Sequence, residues 1–251
     1  MEIGISNPIF SLYDFEDILA EVAKHFKYWE IVAEGKHRLP KIKGKLHMLS
    51  SYKMKFSVHS QYSDINIGSL NDAIRKTSVK EITEAINIAG DAGAKLLTFH
   101  PGHMSPFGRM CVEDIRKATK DSIKKIERAG EDCNIKLALE NMPNGGLYCK
   151  PDDLLDLIDG TNIGLCFDIG HANTTGTIMG FLEHIELFEN VHVHDNMGKE
   201  DMHMELGKGS IPPSYIKQLL KKYNKNVILE IRSMEDGIRS REKMIEILNG
   251  R

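Results

Sequence analysis

KLLTFHPGHMSPFGRMCVEDIRKATKDSIKKIERAGEDCNIKLALE, residues 95–140, is the stretch that decides the fold. Two short apolar runs, KLLTFH (95–100) and KLALE (136–140), read as strands, and Val112–Glu131 between them reads as a helix. A strand, a helix and a second strand of this length make one right-handed crossover unit of a parallel sheet. The two strands end in His100 and Glu140, residue types that bind metals or move protons.

The same alternation continues in both directions. Upstream, EIGIS (2–6), YWEIVAE (28–34) and KFSVH (55–59) read as strands. Between them Asp14–Lys24 has Phe15, Ile18, Leu19 and Val22 at helical spacing, and Asn71–Gly90 is a long helix with Gly93 close behind as a stop signal. Downstream, Pro151 opens a short helix at its favoured first turn. IGLCFD (163–168), NVHVH (190–194) and NVILE (226–230) read as strands, with helices over Met179–Phe188, Pro212–Tyr223 and Asp236–Leu248. Eight strands alternating with helical stretches in 251 residues predict an α/β protein built as a single (β/α)₈ TIM barrel, with residues 1–251 forming one domain. A doubly wound open sheet calls for a Gly-rich first turn, which is absent here.

The four cysteines are scattered with no C-x-x-C pair, which suits reduced thiols rather than a disulfide framework. No apolar run approaches the roughly 20 residues that cross a bilayer. Met1 leads directly into a strand without a basic segment or cleavage site, so a cytoplasmic protein is expected. A net charge of −3 argues against broad nonspecific binding to nucleic acid, but leaves room for a local basic groove. The loop GKHRLPKIKGK from Gly35 to Lys45 can serve as such a phosphate contact or as a solvated surface.

In a barrel the carboxyl ends of the strands converge on one face. His59, His100, Glu140, Asp168, His192 and Glu230 all stand at or near those ends. His171 follows Asp168 by three residues, and Asp201 and His203 lie in the loop after the seventh strand, spaced so that both side chains share one side of an extended segment. These nine candidates, five His, two Asp and two Glu, offer nitrogen and oxygen ligands without thiolate. Such a set suits Zn²⁺, Mn²⁺ or Co²⁺ and exceeds what one ion needs. His194 shares a strand face with His192; His192 is the preferred ligand and His194 is expected behind it or facing substrate. His25, His47 and His184 are expected on solvated helical faces, and His103 off the strand. Gly145–Gly146 and Gly207–Gly209 can meet a phosphate through backbone N–H groups or serve only turn geometry.

These residues resemble the xylose-isomerase-like TIM-barrel superfamily, and the ligand set resembles its endonuclease IV branch, the family 2 abasic-site endonucleases. The resemblance runs over nearly the whole chain. It is carried by HSQYSDINIGS from His59 (with Tyr62 and Asn66), by FHPGH, LENMPNGG, GLCFDIGH, HVHD and DMHMELGKG, and by Glu230. It implies three zinc ions at the mouth. His59, His100 and Glu140 would hold one, Glu140, Asp168, His192 and Glu230 a second, and His171, Asp201 and His203 a third. The implied reaction is hydrolysis of DNA 5′ to an abasic site by metal-bound hydroxide, with Glu140 and Glu230 catalytic. The chain departs from the branch pattern in four places. Asp-Ile-Gly-His replaces Asp-Thr-Cys-His, and HDNMGK replaces Asn-Asp-Ser-Lys, which sets His194 against the branch's Asn. The loop from His192 to Asp201 is shorter, and Arg232-Ser233 stands where a Pro is usual. The same superfamily implies an alternative, a sugar or sugar-phosphate isomerase or epimerase. It would use one divalent ion, Mn²⁺ or Mg²⁺ included, on Glu140, Asp168, His192 and Glu230. The partner is then a small sugar rather than abasic-site DNA.

Overall fold

The computed structural model describes residues 1–250. Eight strands, β1 (Ile3–Ser6), β2 (Tyr28–Val32), β3 (Lys55–His59), β4 (Leu96–Phe99), β5 (Lys136–Glu140), β6 (Gly164–Asp168), β7 (Phe188–Val193) and β8 (Val227–Glu230), pair in sequence order. All neighbours are parallel, and β1 pairs with β8 from Ile3↔Val227 to Ser6↔Glu230, which closes the sheet. The result is the (β/α)₈ barrel that the alternation predicts.

Ten helices surround it: α1 (Phe15–His25), α2 (Leu39–Ile42), α3 (Met48–Ser51), α4 (Asp72–Asp91), α5 (Val112–Asp132), α6 (Pro151–Ile158), α7 (Ile169–Thr175), α8 (Ile178–Leu182), α9 (Pro213–Lys222) and α10 (Met234–Asn249). None is long and apolar enough to cross a membrane. One local expectation needs correction, and one helix was not anticipated. The helix expected over Met179–Phe188 ends at Leu182; a 3₁₀ turn over Ile185–Leu187 follows, and Phe188 opens β7. Phe188 is drawn into the strand by its packing, stacked on Phe167 at 4.9 Å. Helix α7 has no apolar stripe to announce it. It is started by the Asp168 carboxylate, which accepts from the His171 N–H at 2.7 Å, and stopped by left-handed Gly176.

The large apolar core lies between the strands and the helices and includes Trp29, Phe99, Phe167 and Phe188. Inside the barrel the apolar part is small, with Leu96, Ala138 and Cys166 forming a separate cluster. Polar side chains share that interior: Glu30, Ser57, Thr98 and Asn190 are all fully buried. All four cysteines are free.

Candidate metal centre

Strand alternation puts every second side chain inside the barrel, so each strand-end ligand sits one layer above the residue two positions before it. His192 thus stands above Asn190, His59 above Ser57 and Glu140 above Ala138. The nine predicted side chains converge on this mouth. Among the described residues they form three adjoining groups whose ligand atoms lie within 4.8 Å of one another. Glu140 belongs to two of them. Its Oε2 faces His59 Nε2 (3.0 Å) and His100 Nε2 (3.4 Å), and its Oε1 faces His192 Nδ1 at 3.5 Å. The central group is completed by Glu230 Oε2, 2.9 Å from His192 Nδ1, and Asp168 Oδ2 at 3.9 Å. The third group holds His171, Asp201 and His203 together with His194.

Several of these atoms are buried without a hydrogen-bond partner: His192 Nδ1, Asp168 Oδ2, Glu230 Oε2, His194 Nε2 and Asp201 Oδ1. Orphaned polar atoms of this kind are costly in a folded protein, and here donors of both types point at shared points. This fits divalent ions with mixed nitrogen and oxygen ligands. Cys166 lies beside Glu140 and His192. Burial pushes its thiol well up, which keeps it protonated and a poor ligand.

The imidazoles are aimed by their outer nitrogens. Carbonyl oxygens only accept, so Nδ1 of His59, His171 and His203 must carry the proton that it donates to the carbonyls of Ser60 (2.8 Å), Asn141 (2.7 Å) and Glu230 (3.0 Å). That leaves each Nε2 free to ligate. His192 is reversed: its Nε2 meets Glu30 Oε1 at 2.6 Å and its Nδ1 faces inward. Glu30 is itself fixed by Ser57 Oγ (2.9 Å) and Asn190 Nδ2 (2.7 Å), and Asn190 also donates to Thr98 Oγ1. The buried polar layer therefore supports the candidate metal ligands. Nothing in the sequence tells which way Glu30 points, and Ser57, Thr98 and Asn190 do not stand out in it. Their signal was there: Ser57, Thr98 and Asn190 each lie two residues before a candidate ligand on a strand run.

Charges in the mouth balance one another. Burial alone would push the imidazoles down, but the carboxylates overcome it and raise His59 and His203 to about 9 and His171 and His192 well above their usual value. His100 stays lowered, because burial outweighs Glu140. Burial would raise Glu140, Asp201 and Glu230, yet the neighbouring imidazoles hold all three well below the usual carboxylate range. A divalent ion held by these residues would replace those imidazole protons, so its binding would release them.

A cavity of ≈ 290 Å³ opens on the His100 and Asp201 side, lined by Tyr62, Ile65, Met142 and His171 among others. Tyr62 stacks on His100 with ring centroids 5.2 Å apart. Two phosphate-binding expectations lose support. In the Gly35–Lys45 loop, Lys36, Arg38, Lys43 and Lys45 are paired with Asp14, Glu81, Asp91 and Glu16, and His37 is buried beside Phe15 and Trp29. The Gly207 N–H donates to Asp195 and the Gly146 N–H to Pro143, so one N–H of each glycine pair is already engaged in its turn. His47 and His184 occupy turns rather than helices, while His103 is exposed and off the strand as expected.

The comparisons agree with this architecture. A family model described as "Xylose isomerase-like TIM barrel" matches residues 19–248. An uncharacterized protein of Methanocaldococcus jannaschii is 34% identical over 99% of this chain and 89% of its own length. A probable endonuclease 4 of Aquifex aeolicus is 27% identical, with 82% of this chain and 80% of that protein covered. Among solved structures, a D-tagatose 3-epimerase-like protein superimposes with a TM-score of 0.90 at 32% identity, covering 100% of this chain and 99% of that one. The chain belongs to the xylose isomerase-like TIM-barrel family.

Proposed function

We propose that the barrel mouth is the active site of a divalent-metal-dependent phosphodiesterase of the endonuclease IV kind, with zinc as the ion and abasic-site DNA as the substrate. One observation carries the reading: the two oxygens of Glu140 are divided between two adjoining ligand groups, as a carboxylate shared by two ions requires. Sugar isomerisation on one ion leaves His59 and His100 without a task. Divalent ions held by the Glu140-sharing groups would supply charge neutralisation at the phosphoryl oxygens and lower the pKa of water. Glu140 and Glu230 are the catalytic carboxylates, with Glu140 orienting the attacking water. Tyr62 and His100 form the cavity wall against which the substrate rests. Arg232, on the rim beside Asp201 and His203, is positioned to pair with a phosphate.

The test is cleavage of a duplex carrying one abasic site. Zinc-loaded protein should cut 5′ to the site, and Glu140→Gln should be slower by about 10³-fold or more, because several kcal/mol of charge stabilisation are lost. An intact duplex with fully loaded protein counts against the reading. A second reading, a sugar or sugar-phosphate epimerase using the central group with Mn²⁺ or Mg²⁺, is favoured by the 32% identity to the epimerase-like protein and by a cavity of ≈ 290 Å³, which suits a small sugar. Turnover of a ketose or its phosphate with Mn²⁺, and none of DNA, would establish it instead.

A further inference from the structure

Two departures from the branch pattern, Gly170 in the motif after β6 and His194 after β7, are in contact. A Cβ built on Gly170 would lie 2.0 Å from His194 Cε1 and 2.3 Å from its Nε2. The imidazole occupies the space that a side chain at 170 would take, so His194 can adopt this position only because residue 170 is glycine. From there its ring stacks on His203 at 4.2 Å, with 25° between planes. Its Nε2 is completely buried and has no hydrogen-bond partner. Asp168 Oδ1 at 3.2 Å and Asp201 Oδ1 at 3.3 Å are near, but neither is aligned to accept a bond. Its Nδ1 turns outward toward the Asp195 carbonyl at 3.4 Å, the same outward direction as Nδ1 of His59, His171 and His203.

We propose that His194 is the fourth protein ligand of a divalent-ion site made with His171, Asp201 and His203, which encloses that ion in protein and makes it structural. The distances suit this. Four ligands about 2.0 Å from a zinc ion in tetrahedral array are about 3.3 Å from one another. Asp201 Oδ2 lies 3.2 Å from His171 Nε2 and 2.9 Å from His203 Nε2, and its Oδ1 lies 3.3 Å from His194 Nε2. Three nitrogens and one carboxylate fill a tetrahedral shell and leave no position for water or substrate, the mark of a structural rather than a catalytic zinc site. The ion ties α7, the end of β7 and the loop bearing Asp201 and His203 into one unit. His203 is held at a positive φ of 48° there, a strain that a fixed ligand role explains. Hydrolysis then runs on the two groups that share Glu140.

The inference rests on the reading above only in taking the mouth to bind divalent ions. The test is zinc content after prolonged dialysis against a chelator, on wild type, His194→Asn and His59→Ala, with anomalous scattering at the zinc edge from wild-type crystals. Wild type and His59→Ala should each retain one chelator-resistant zinc per chain. In His194→Asn that ion should bind at least about 100-fold more weakly and be stripped. Circular dichroism of His194→Asn checks that loss of the ion is not loss of fold. If that variant is unfolded, the anomalous map decides, with His194 Nε2 expected about 2.1 Å from the ion. An ion bound to His171, Asp201 and His203 with His194 outside bonding distance, or a His194→Asn protein that keeps its resistant zinc, overturns the inference and leaves the phosphodiesterase reading intact. Wild type that binds no divalent ion at all overturns both.

Discussion

The central group and the third group have similar ligands but are held in different ways. Asp168, His192 and Glu230 stand on or at the ends of strands, where the ladder fixes the backbone and a buried layer of Glu30, Ser57, Thr98 and Asn190 fixes the side chains. Asp201 and His203 stand on the loop after β7, which has no ladder. Its shape depends on Asp195, whose carboxylate accepts the N–H groups of Asn196, Gly207 and Ile211, and on a backbone pair between Asp195 and Met204. Gly209 packs so closely that a Cβ there would lie 2.2 Å from Asp195 Oδ1. A strand-borne site is organised before any ion arrives. A loop-borne site gains much of its order from the ion.

This difference can be broken or sharpened by substitution. The largest effect is expected at Glu140, the ligand the two groups nearest the substrate share: Glu140→Gln should lose hydrolysis by about 10³-fold while the third ion remains bound. Zinc content and cleavage rate measured on the same sample check this.

A smaller effect separates the two halves through pH. In metal-free protein, carboxylates raise His59 on the strand side and His203 on the loop side to about 9, from about 6.5 in the unfolded chain. Each raised imidazole contributes stability that is complete below about pH 6.5 and fades as pH rises to about 9. Metal-free protein should therefore lose a few kcal/mol between those values, and chemical denaturation at several pH values measures it. Metal-loaded protein should not show this loss, since the ion has taken the place of the protons. Outside the mouth, burial lowers His37 to about 4, so that group works in the opposite sense, with its contribution complete above about pH 6.5 and lost as pH falls toward 4.

Glu30→Gln keeps the shape of the buried layer but removes the charge behind His192. Affinity of the central site should fall about 10- to 100-fold, with the third site unchanged. Competitive titration with a chromophoric chelator reads both. The smallest effect is expected from Arg232→Ala. It removes one charge-assisted phosphate contact and should raise KM roughly tenfold, with little change in kcat. Steady-state kinetics on the abasic duplex distinguishes this from a change in the chemical step.

The same contrast explains what could be read in advance. The barrel and the convergence of the strand-end candidates were legible because alternation in a strand sends every second residue to one face, and a (β/α)₈ barrel brings all such faces together. Glu30 sat in plain view on its strand, but only the closed barrel brings it to within 2.6 Å of His192, 162 positions away. Helix α7 was missed because a carboxylate cap, not an apolar stripe, starts it. His194 was expected behind His192 or facing substrate. Its position in the third group depends on the empty space at Gly170, a relation between α7 and the end of β7 that no spacing within either one reveals. The basic loop after β2 looked free to meet phosphate because its acidic partners, Asp14, Glu16, Glu81 and Asp91, lie on other elements.

The most direct test of the central claim is the number and position of ions in a zinc-edge anomalous difference map of the wild-type protein. Three peaks are expected, two of them sharing Glu140 and the third among His171, His194, Asp201 and His203. A single peak at Glu140, Asp168, His192 and Glu230, with His59 and His100 left free, would contradict that claim and point to one-ion sugar chemistry.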